Sequence, residues 1–210
     1  NLNTQNRSRQ PSFTGHQFGL LDLNAITYAT SPAYTLRTEH PTGEGYAKYL
    51  RVCKDTFNVH VKENIKILSI QKEKEVFICE TSKGNITAKF VVSAVGEFSF
   101  RRMGNFIGSG LCKHTSSIQS YKELTGDSFV IIGGYESGID AAIHLSKANK
   151  KSVVIDTGSP WKFNDSDPSV TLSPFTLDRL HEELLRGNIT LIKDQEALEV
   201  TLHDNVYTVR

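Results

Sequence analysis

One stretch of the sequence decides the fold, and it reads FVIIGGYESGIDAA over residues 129–142. An apolar run typical of a buried strand leads into a glycine-rich turn, and apolar residues at helical spacing follow it. The run Ser152–Asp156 predicts a second strand, so the segment spells strand, helix and strand, a βαβ unit. We therefore predict an α/β fold with a parallel sheet, and a helix over Ser137–Ala148.

The glycines of this turn have the spacing of a dinucleotide-binding loop. Gly133 fills the position of the tight turn, and Gly138 fills the position where helix and strand pack closely. The phosphates would bind at the N–H groups and the positive end of the helix. Tyr135 stands where the pattern has its second glycine, so its side chain must point away from the phosphates or the cofactor must lie further out. The predicted nucleotide-binding residues of the turn are Gly133, Gly134, Tyr135, Glu136, Ser137 and Gly138.

Asp156 ends the next predicted strand and, with Thr157 beside it, is the candidate to bind the adenosine ribose. An acid there would bond the ribose hydroxyls and repel a 2′-phosphate, which favours NAD over NADP. Lys162 in the following loop can offset that preference. The alternative interpretation is a tight strand–helix turn that holds no ligand, with a solvated Asp156.

The residues before this unit predict one helix and several short strands, after 35 residues of irregular loop. Thr42 is a predicted N-cap, and an apolar stripe with helical spacing follows it. The last strand run is apolar without alternation over residues 90–94, which predicts a strand covered on both faces in a parallel-type sheet. The predicted strands are Asn58–Val61, Ile65–Ile70, Val76–Glu80 and Ile86–Ala94.

The residues after the βαβ unit predict a second helix, a third strand and a hairpin. Ser173 is a good N-cap and Pro174 a good first helical residue. Asn188–Ile192 reads as a strand, and the hairpin is predicted around His203 and Asp204.

Composition excludes several classes of protein. The 210 residues carry 24 Lys and Arg against 23 Asp and Glu, a formal charge of +1. The chain therefore lacks the excess of basic residues that is typical of nucleic-acid-binding proteins. Apolar runs are too short for a membrane span, and the polar start is no signal peptide. The three cysteines, Cys53, Cys79 and Cys112, are scattered without a CxxC pair, which excludes a clustered zinc site and fits a reducing compartment. We therefore predict a cytoplasmic protein without a metal.

Three histidines and one tryptophan are further candidate site residues. His144 and His181 fall on predicted helices without metal-ligand spacing and are predicted to be surface residues. His114 has either a cofactor or hinge role, or a structural hydrogen-bonding role. We interpret Trp161 as a loop anchor in preference to a residue that stacks on adenine.

Several motifs are shared with one family. Beside Gly133–Gly138, these are Ala94-Val95-Gly96 at a strand end, His114-Thr115, and the segments 30–34, 167–169 and 172–174. With these motifs the sequence resembles the flavin-containing monooxygenase-like branch of the flavoproteins with two dinucleotide-binding domains, and its bacterial subgroup. Val95 replaces the threonine usual in that family.

The resemblance implies a Rossmann-like domain joined to a partial FAD-type domain with an antiparallel β-meander. Residues 1–126 would be the partial FAD-binding domain with a connector, and residues 127–210 the NAD(P)-binding domain. The family's first glycine-rich motif is missing and Met103 is the single methionine, so we expect an internal piece of a longer protein. Alone, it is expected to bind FAD weakly or not at all. The resemblance adds Ala94, Val95, Gly96 and His114 to the cofactor-binding candidates.

The implied function is transfer of hydride from NAD(P)H to FAD, with oxygen or another acceptor taking the electrons. The cofactors carry this chemistry, so no catalytic side chain is predicted. The expected partner is a small-molecule substrate, with a homodimer possible. One alternative is a pyridine-nucleotide thiol or disulfide reductase, which would have to use Cys112. The other is a non-catalytic nucleotide-sensing module, for which Tyr135 and Val95 would be signs of a degenerating site.

Overall fold

The computed structural model describes residues 32–37, 42–96, 100–163, 165 and 170–210. Residues 50–100 form one compact unit, and the remaining described residues form a second. The motif positions Thr30, Ser31 and 167–169 lie outside the described residues. In the part of the chain that is described, no helix has the length and apolarity to cross a membrane. The predicted boundary between an FAD-binding and an NAD(P)-binding domain, between residues 126 and 127, stays a prediction.

Two helices come first, α1 (Pro32–Leu36) and α2 (Gly43–Thr56). The Thr42 hydroxyl accepts a hydrogen bond from the Gly45 N–H at 3.1 Å, which confirms the predicted N-cap. Helix α1 corrects the prediction of irregular loop through residue 35, because Pro32 is well placed to begin a helical turn.

The unit of residues 50–100 holds an antiparallel sheet of β1 (Ile67–Glu73), β2 (Val76–Thr81) and β3 (Gly84–Ala88). The strands lie in the order β1-β2-β3, each paired with the next along the chain. This arrangement is the predicted β-meander.

Two strand predictions in this unit are wrong. Asn58–Val61 is coil, because Asn58 takes a left-handed φ of 49° at the end of α2. The predicted strand Ile86–Ala94 ends at Ala88 as β3. Beyond it the apolar run is exposed coil, with Phe90 at 86% and Val92 at 87% exposure. The run hydrogen-bonds no neighbouring strand among the described residues, so the predicted covered, parallel-type strand does not form there.

The second unit contains the predicted parallel sheet, formed by β4 (Ser128–Ile132), β5 (Lys151–Asp156) and β6 (Ile189–Lys193) in that order. Both strand pairs are parallel and in continuous register. Helix α3 (Glu136–Lys147) connects β4 to β5, and α4 (Pro174–Leu184) lies between β5 and β6. The prediction of an α/β fold with a parallel sheet and an antiparallel meander is confirmed.

The core of this unit lies between the two helices and one face of the sheet. The predicted helical stripe is confirmed, because Ile139, Ala142 and Ile143 are all fully buried. Leu180 of α4 and Val154 of β5 belong to the same cluster of buried side chains. Burial of these side chains supplies the main stabilisation and orients the start of α3 against the end of β4.

The end of the chain forms the predicted hairpin from β7 (Val200–His203) and β8 (Val206–Val209). Asp204 and Asn205 occupy its turn with positive φ angles of 48° and 63°. Two adjacent residues with positive φ are typical of a type I′ turn, whose twist matches that of the paired strands.

A cluster of charged side chains joins the outer faces of α3 and α4. Asp140 accepts a hydrogen bond from Arg179 at 2.8 Å and lies 3.5 Å from the His144 ring. His144 also stacks on Tyr121, with ring centroids 5.9 Å apart. His144 is therefore half-buried, which corrects its prediction as a surface residue, whereas His181 is exposed as predicted. The periodicity of α3 could not show that Tyr121 from the connector covers His144.

The Asp140 carboxyl makes the stability of this unit depend on pH. Burial raises its pKa, but the hydrogen bonds and charges of His144 and Arg179 outweigh burial and hold the pKa below its ordinary value. The folded state therefore binds this proton less readily than the unfolded state does. The Asp140 carboxylate therefore stabilises the folded state fully at neutral pH. This stabilisation begins to be lost as the pH falls below the pKa of the unfolded state, about 4, and it is gone once the pH has fallen through the lowered pKa of the folded state.

We expect Asp140→Asn to lower the free energy of unfolding at pH 7 and to have little effect at pH 3. Urea titrations followed by circular dichroism at both pH values measure this difference. Glu182→Gln, an exposed position on α4, is the matched control for a lost carboxylate. An equal loss for Asp140→Asn at both pH values would contradict the assignment.

Candidate functional site

The glycine-rich turn leaves β4 through Gly133. Gly133 takes a φ of 99°, which side chains rarely tolerate, so a glycine is required at this position. Its N–H donates to the Ile155 carbonyl at 2.9 Å and ties the turn to the neighbouring strand. The tight strand-to-helix turn predicted from the sequence is present.

Gly138 lies where α3 passes closest to the preceding strand end. A Cβ atom built on Gly138 would overlap the carbonyl oxygen of Gly133 and would touch the side chain of Ile131. No side chain can be accommodated unless the backbone moves. The close helix–strand approach that the sequence predicts is therefore a feature of this turn.

Tyr135 does not distort the turn. It takes φ −81° and ψ −171°, an extended conformation open to any residue, so this turn needs no glycine at the second position of the motif. Tyr135 is the N-cap of α3, and its side chain makes no capping hydrogen bond. The positive end of the α3 dipole lies at this turn, with the exposed Ser137 in the first turn of the helix, and anion binding there stays a prediction.

The Asp156 carboxylate is fixed at the end of β5 by three backbone donors. One oxygen accepts from the Gly134 N–H at 2.7 Å, and the other accepts from Gly158 and Ser159, each also at 2.7 Å. Asp156 therefore connects the glycine-rich turn to the loop after β5. It is ordered by backbone contacts, and Thr157 beside it is exposed.

Gly134 is a packing position. A Cβ atom on Gly134 would overlap the ring of Trp161, which lies in the short helix Pro160–Lys162 after β5. The Trp161 ring also packs on the core under α3. These contacts support the interpretation of Trp161 as a loop anchor.

Glu136, a predicted nucleotide-binding residue, directs its carboxylate away from the turn and towards α4. One oxygen accepts from the Ser173 N–H and the other from the Thr176 hydroxyl at 2.6 Å. Glu136 is only 7% exposed, so a buried anion occupies the N-terminus of α4. Ser173 was recognisable as a helix cap, but its pairing with Glu136 spans 37 residues and was not visible in the sequence.

Sequence reasoning missed Asp194, which follows β6 and binds the loop after β5. Its carboxylate accepts from the Lys162 ammonium at 2.6 Å and from the Ser159 hydroxyl at 3.1 Å. The hydrogen bond from Lys162, with the one from Ser159, lowers the pKa of Asp194 below its ordinary value. Only the parallel pairing of β5 with β6 brings these residues together.

The other cofactor-binding candidates lie apart from the turn in sequence. Ala94, Val95 and Gly96 are exposed coil in the unit of residues 50–100, and their cofactor role stays a prediction. The His114 ring accepts a hydrogen bond from the Ser116 N–H at 3.2 Å and caps a short helix. This contact supports the hydrogen-bonding alternative for His114, and its cofactor role stays a prediction.

The cysteines offer little thiol reactivity. Cys53 and Cys79 are buried, as predicted, and all three cysteines are free. Burial raises the pKa of the partly accessible Cys112, which lowers its thiolate fraction. Among the residues the structure describes, no group of His, Cys, Asp and Glu is placed to hold a metal ion.

Comparison with known proteins shows the family to which this chain belongs. A family model described as pyridine nucleotide-disulphide oxidoreductase matches residues 2–210. The chain belongs to this family. The chain is 29% identical over 143 residues to an uncharacterized CzcO-like oxidoreductase of Geobacillus kaustophilus, and the matched region covers 65% of this chain and 40% of that protein.

Two solved structures share the fold of this chain. Bacillithiol disulfide reductase from Bacillus cereus has a TM-score of 0.64 at 24% identity, over 82% of this chain and 55% of that one. A flavin monooxygenase mutant from Stenotrophomonas maltophilia has a TM-score of 0.60 at 15% identity, over 77% of this chain and 50% of that one. The chain thus spans about half the length of these proteins.

Membership of this family confirms the predicted kind of family and implies FAD and NAD(P)H as cofactors. The residues of the glycine-rich turn fit NAD(P)H, because the close approach at Gly138 and the helix end at Tyr135 are those of a pyrophosphate site. The described residues show no comparable fit for FAD.

Proposed function

We propose that the protein is an FAD-dependent oxidoreductase of the flavin-monooxygenase-like kind, with its NAD(P)H site at residues 133–138. The observation that carries the proposal is the geometry at Gly138, where a side chain would overlap the preceding strand end. In dinucleotide-binding folds this approach places helix N–H groups against a pyrophosphate.

Each residue near the turn has a distinct part in this proposal. The first turn of α3 binds the pyrophosphate, and Asp156 faces the adenosine ribose. Trp161 and Glu136 keep the turn in place from the loop after β5 and from α4. With both cofactors bound, the chemistry supplied would be reduction of FAD by hydride from NAD(P)H, followed by transfer of the two electrons to oxygen or another acceptor in a reaction on a small-molecule substrate.

The cysteines favour the monooxygenase-like kind over a thiol or disulfide reductase. Dithiol chemistry needs an accessible thiolate next to a second thiol. In this chain Cys53 and Cys79 are buried, and burial raises the pKa of Cys112. The chain itself therefore supplies no thiol pair suited to that reaction.

The test is an absorption spectrum of the protein purified at its natural length. We expect visible flavin bands that bleach when NAD(P)H is added without oxygen and that return when oxygen is admitted. A colourless preparation that does not respond to added FAD would support the nucleotide-sensing alternative and contradict the proposal. Reoxidation by a disulfide but not by oxygen would identify a thiol reductase.

The Cys112→Ser variant separates the two enzyme types directly. We expect it to leave the rate of NAD(P)H-dependent flavin reduction and reoxidation within about twofold of the parent, because a partly buried neutral thiol takes no part. Stopped-flow absorption measures both rates, and Ser120→Ala, at a half-buried position eight residues further along the chain, is the control. Loss of reoxidation in Cys112→Ser alone would favour the thiol reductase.

A further inference from the structure

We propose that Ser159 is a positioning residue of the nucleotide site, because it holds the Asp156 carboxylate against the glycine-rich turn and is itself held by Asp194. This role rests on the proposed function, since it takes residues 133–138 as the site of a nicotinamide dinucleotide. The ends of β5 and β6 thereby keep that site ordered before a nucleotide binds.

The Ser159 backbone has a strained conformation. Its φ of 48° and ψ of 56° lie in the left-handed region, which a residue with a Cβ atom rarely adopts. The residue is completely buried, with 0% exposure. Strained residues persist only where the surrounding contacts fix them, and they occur often at functional sites. The contacts that fix Ser159 therefore indicate which part of the molecule depends on it.

The backbone of Ser159 contacts the acid that borders the glycine-rich turn. Its N–H donates to one oxygen of Asp156 at 2.7 Å, as the Gly158 N–H also does. The other Asp156 oxygen accepts the Gly134 N–H at 2.7 Å. Ser159 is thus two hydrogen bonds away from the turn, and a shift of its backbone would move the carboxylate that holds Gly134.

The side chain of Ser159 joins this arrangement to the end of β6. Its hydroxyl donates to the Asp194 carboxylate at 3.1 Å and accepts the Asp194 N–H at 2.9 Å. Lys162 holds the same carboxylate at 2.6 Å, and the Gln195 N–H donates to the Asp156 carbonyl at 3.2 Å. Because a buried polar group is costly to leave without a partner, the hydroxyl fixes Ser159 in its strained conformation.

The experiment compares Ser159→Ala with Ser159→Gly in the natural-length protein. Both variants lose the hydroxyl, but glycine adopts a φ of 48° without strain and alanine does not. We expect both to bind NAD⁺ about fivefold more weakly in calorimetric titration, and the Gly134 amide to exchange its hydrogen faster. Of the two, Ser159→Gly should be more stable to urea, so the loss of affinity is separate from stability.

Ser146→Ala is the matched control, because it also removes a buried serine hydroxyl, which donates to Glu183 at 2.7 Å. It should lose stability and keep the parental NAD⁺ affinity, since Ser146 lies at the opposite end of α3 from the turn. Parental NAD⁺ affinity or unchanged Gly134 exchange in both Ser159 variants would overturn the inference and leave the proposed function intact. A parent protein that binds neither NAD⁺ nor NADP⁺ would instead overturn the proposed function.

The pair Asp194→Ala and Asp194→Asn tests the connection to β6. Asparagine keeps an oxygen that accepts the Ser159 hydroxyl, whereas alanine removes it. We expect Asp194→Asn to bind NAD⁺ within about twofold of the parent, because the exposed ion pair with Lys162 contributes little. Asp194→Ala should show the loss expected for Ser159→Ala. Equal affinities of the two Asp194 variants would overturn the part assigned to Asp194.

Discussion

Gly138→Ala is expected to lower affinity for the pyridine nucleotide more than about tenfold and to destabilise the second unit by about 3 kcal/mol. The added methyl group would overlap the Gly133 carbonyl oxygen, so α3 must move away from the end of β4. That movement displaces the helix N–H groups that would bind the pyrophosphate. The loss of affinity follows because hydrogen bonds to a charged group depend strongly on distance and angle.

Calorimetric titration with NAD⁺ and urea unfolding measure the two effects of Gly138→Ala. Gly110→Ala is the matched control, because a Cβ atom there meets nothing within 4 Å and its backbone is not left-handed. We expect the control to stay within about 0.5 kcal/mol of the parent. Parental NAD⁺ affinity in Gly138→Ala would show that the nucleotide does not bind at this turn.

Glu136→Ala is expected to lower the free energy of unfolding by about 3 kcal/mol. The substitution removes the acceptor of the Ser173 N–H and of the Thr176 hydroxyl. It also removes the anion at the N-terminus of α4. Because Glu136 is the first residue of α3, the turn should become more mobile and NAD⁺ affinity should fall as well.

Two controls separate the buried contacts of Glu136 from a general effect of charge. Glu136→Gln keeps one acceptor oxygen and should lose less stability than Glu136→Ala. Glu182→Ala removes an exposed carboxylate from α4 and should have little effect. Equal unfolding free energies for Glu136→Ala and Glu182→Ala would contradict the role assigned to Glu136.

The sequence predicted the βαβ unit well because its signals are local. The apolar run before Gly133, the stripe of Ile139, Ala142 and Ile143, and the cap at Ser173 each lie within a few residues of what they determine. Backbone conformation and helix capping depend on near neighbours, so such elements can be read from one chain.

The prediction failed where an element depends on a distant partner. The run of residues 90–94 has the composition of a buried strand but pairs with no strand among the described residues, so it is exposed coil. A strand needs neighbouring backbone groups to complete its hydrogen bonds, and composition cannot supply them. His144 illustrates the same limit, because Tyr121 covers it from a different part of the chain.

The sequence by itself determined the turn at Gly133 and Gly138, the parallel α/β unit around it and the resemblance to a flavoprotein family. Only the tertiary structure decided what the charged residues around the turn do. It joined Glu136 to α4, Asp156 to the backbone of Gly134, and Lys162 to Asp194. The physical reason is distance along the chain: these contacts arise when parallel strands align in register, and no local pattern encodes which carboxylate a cation will meet.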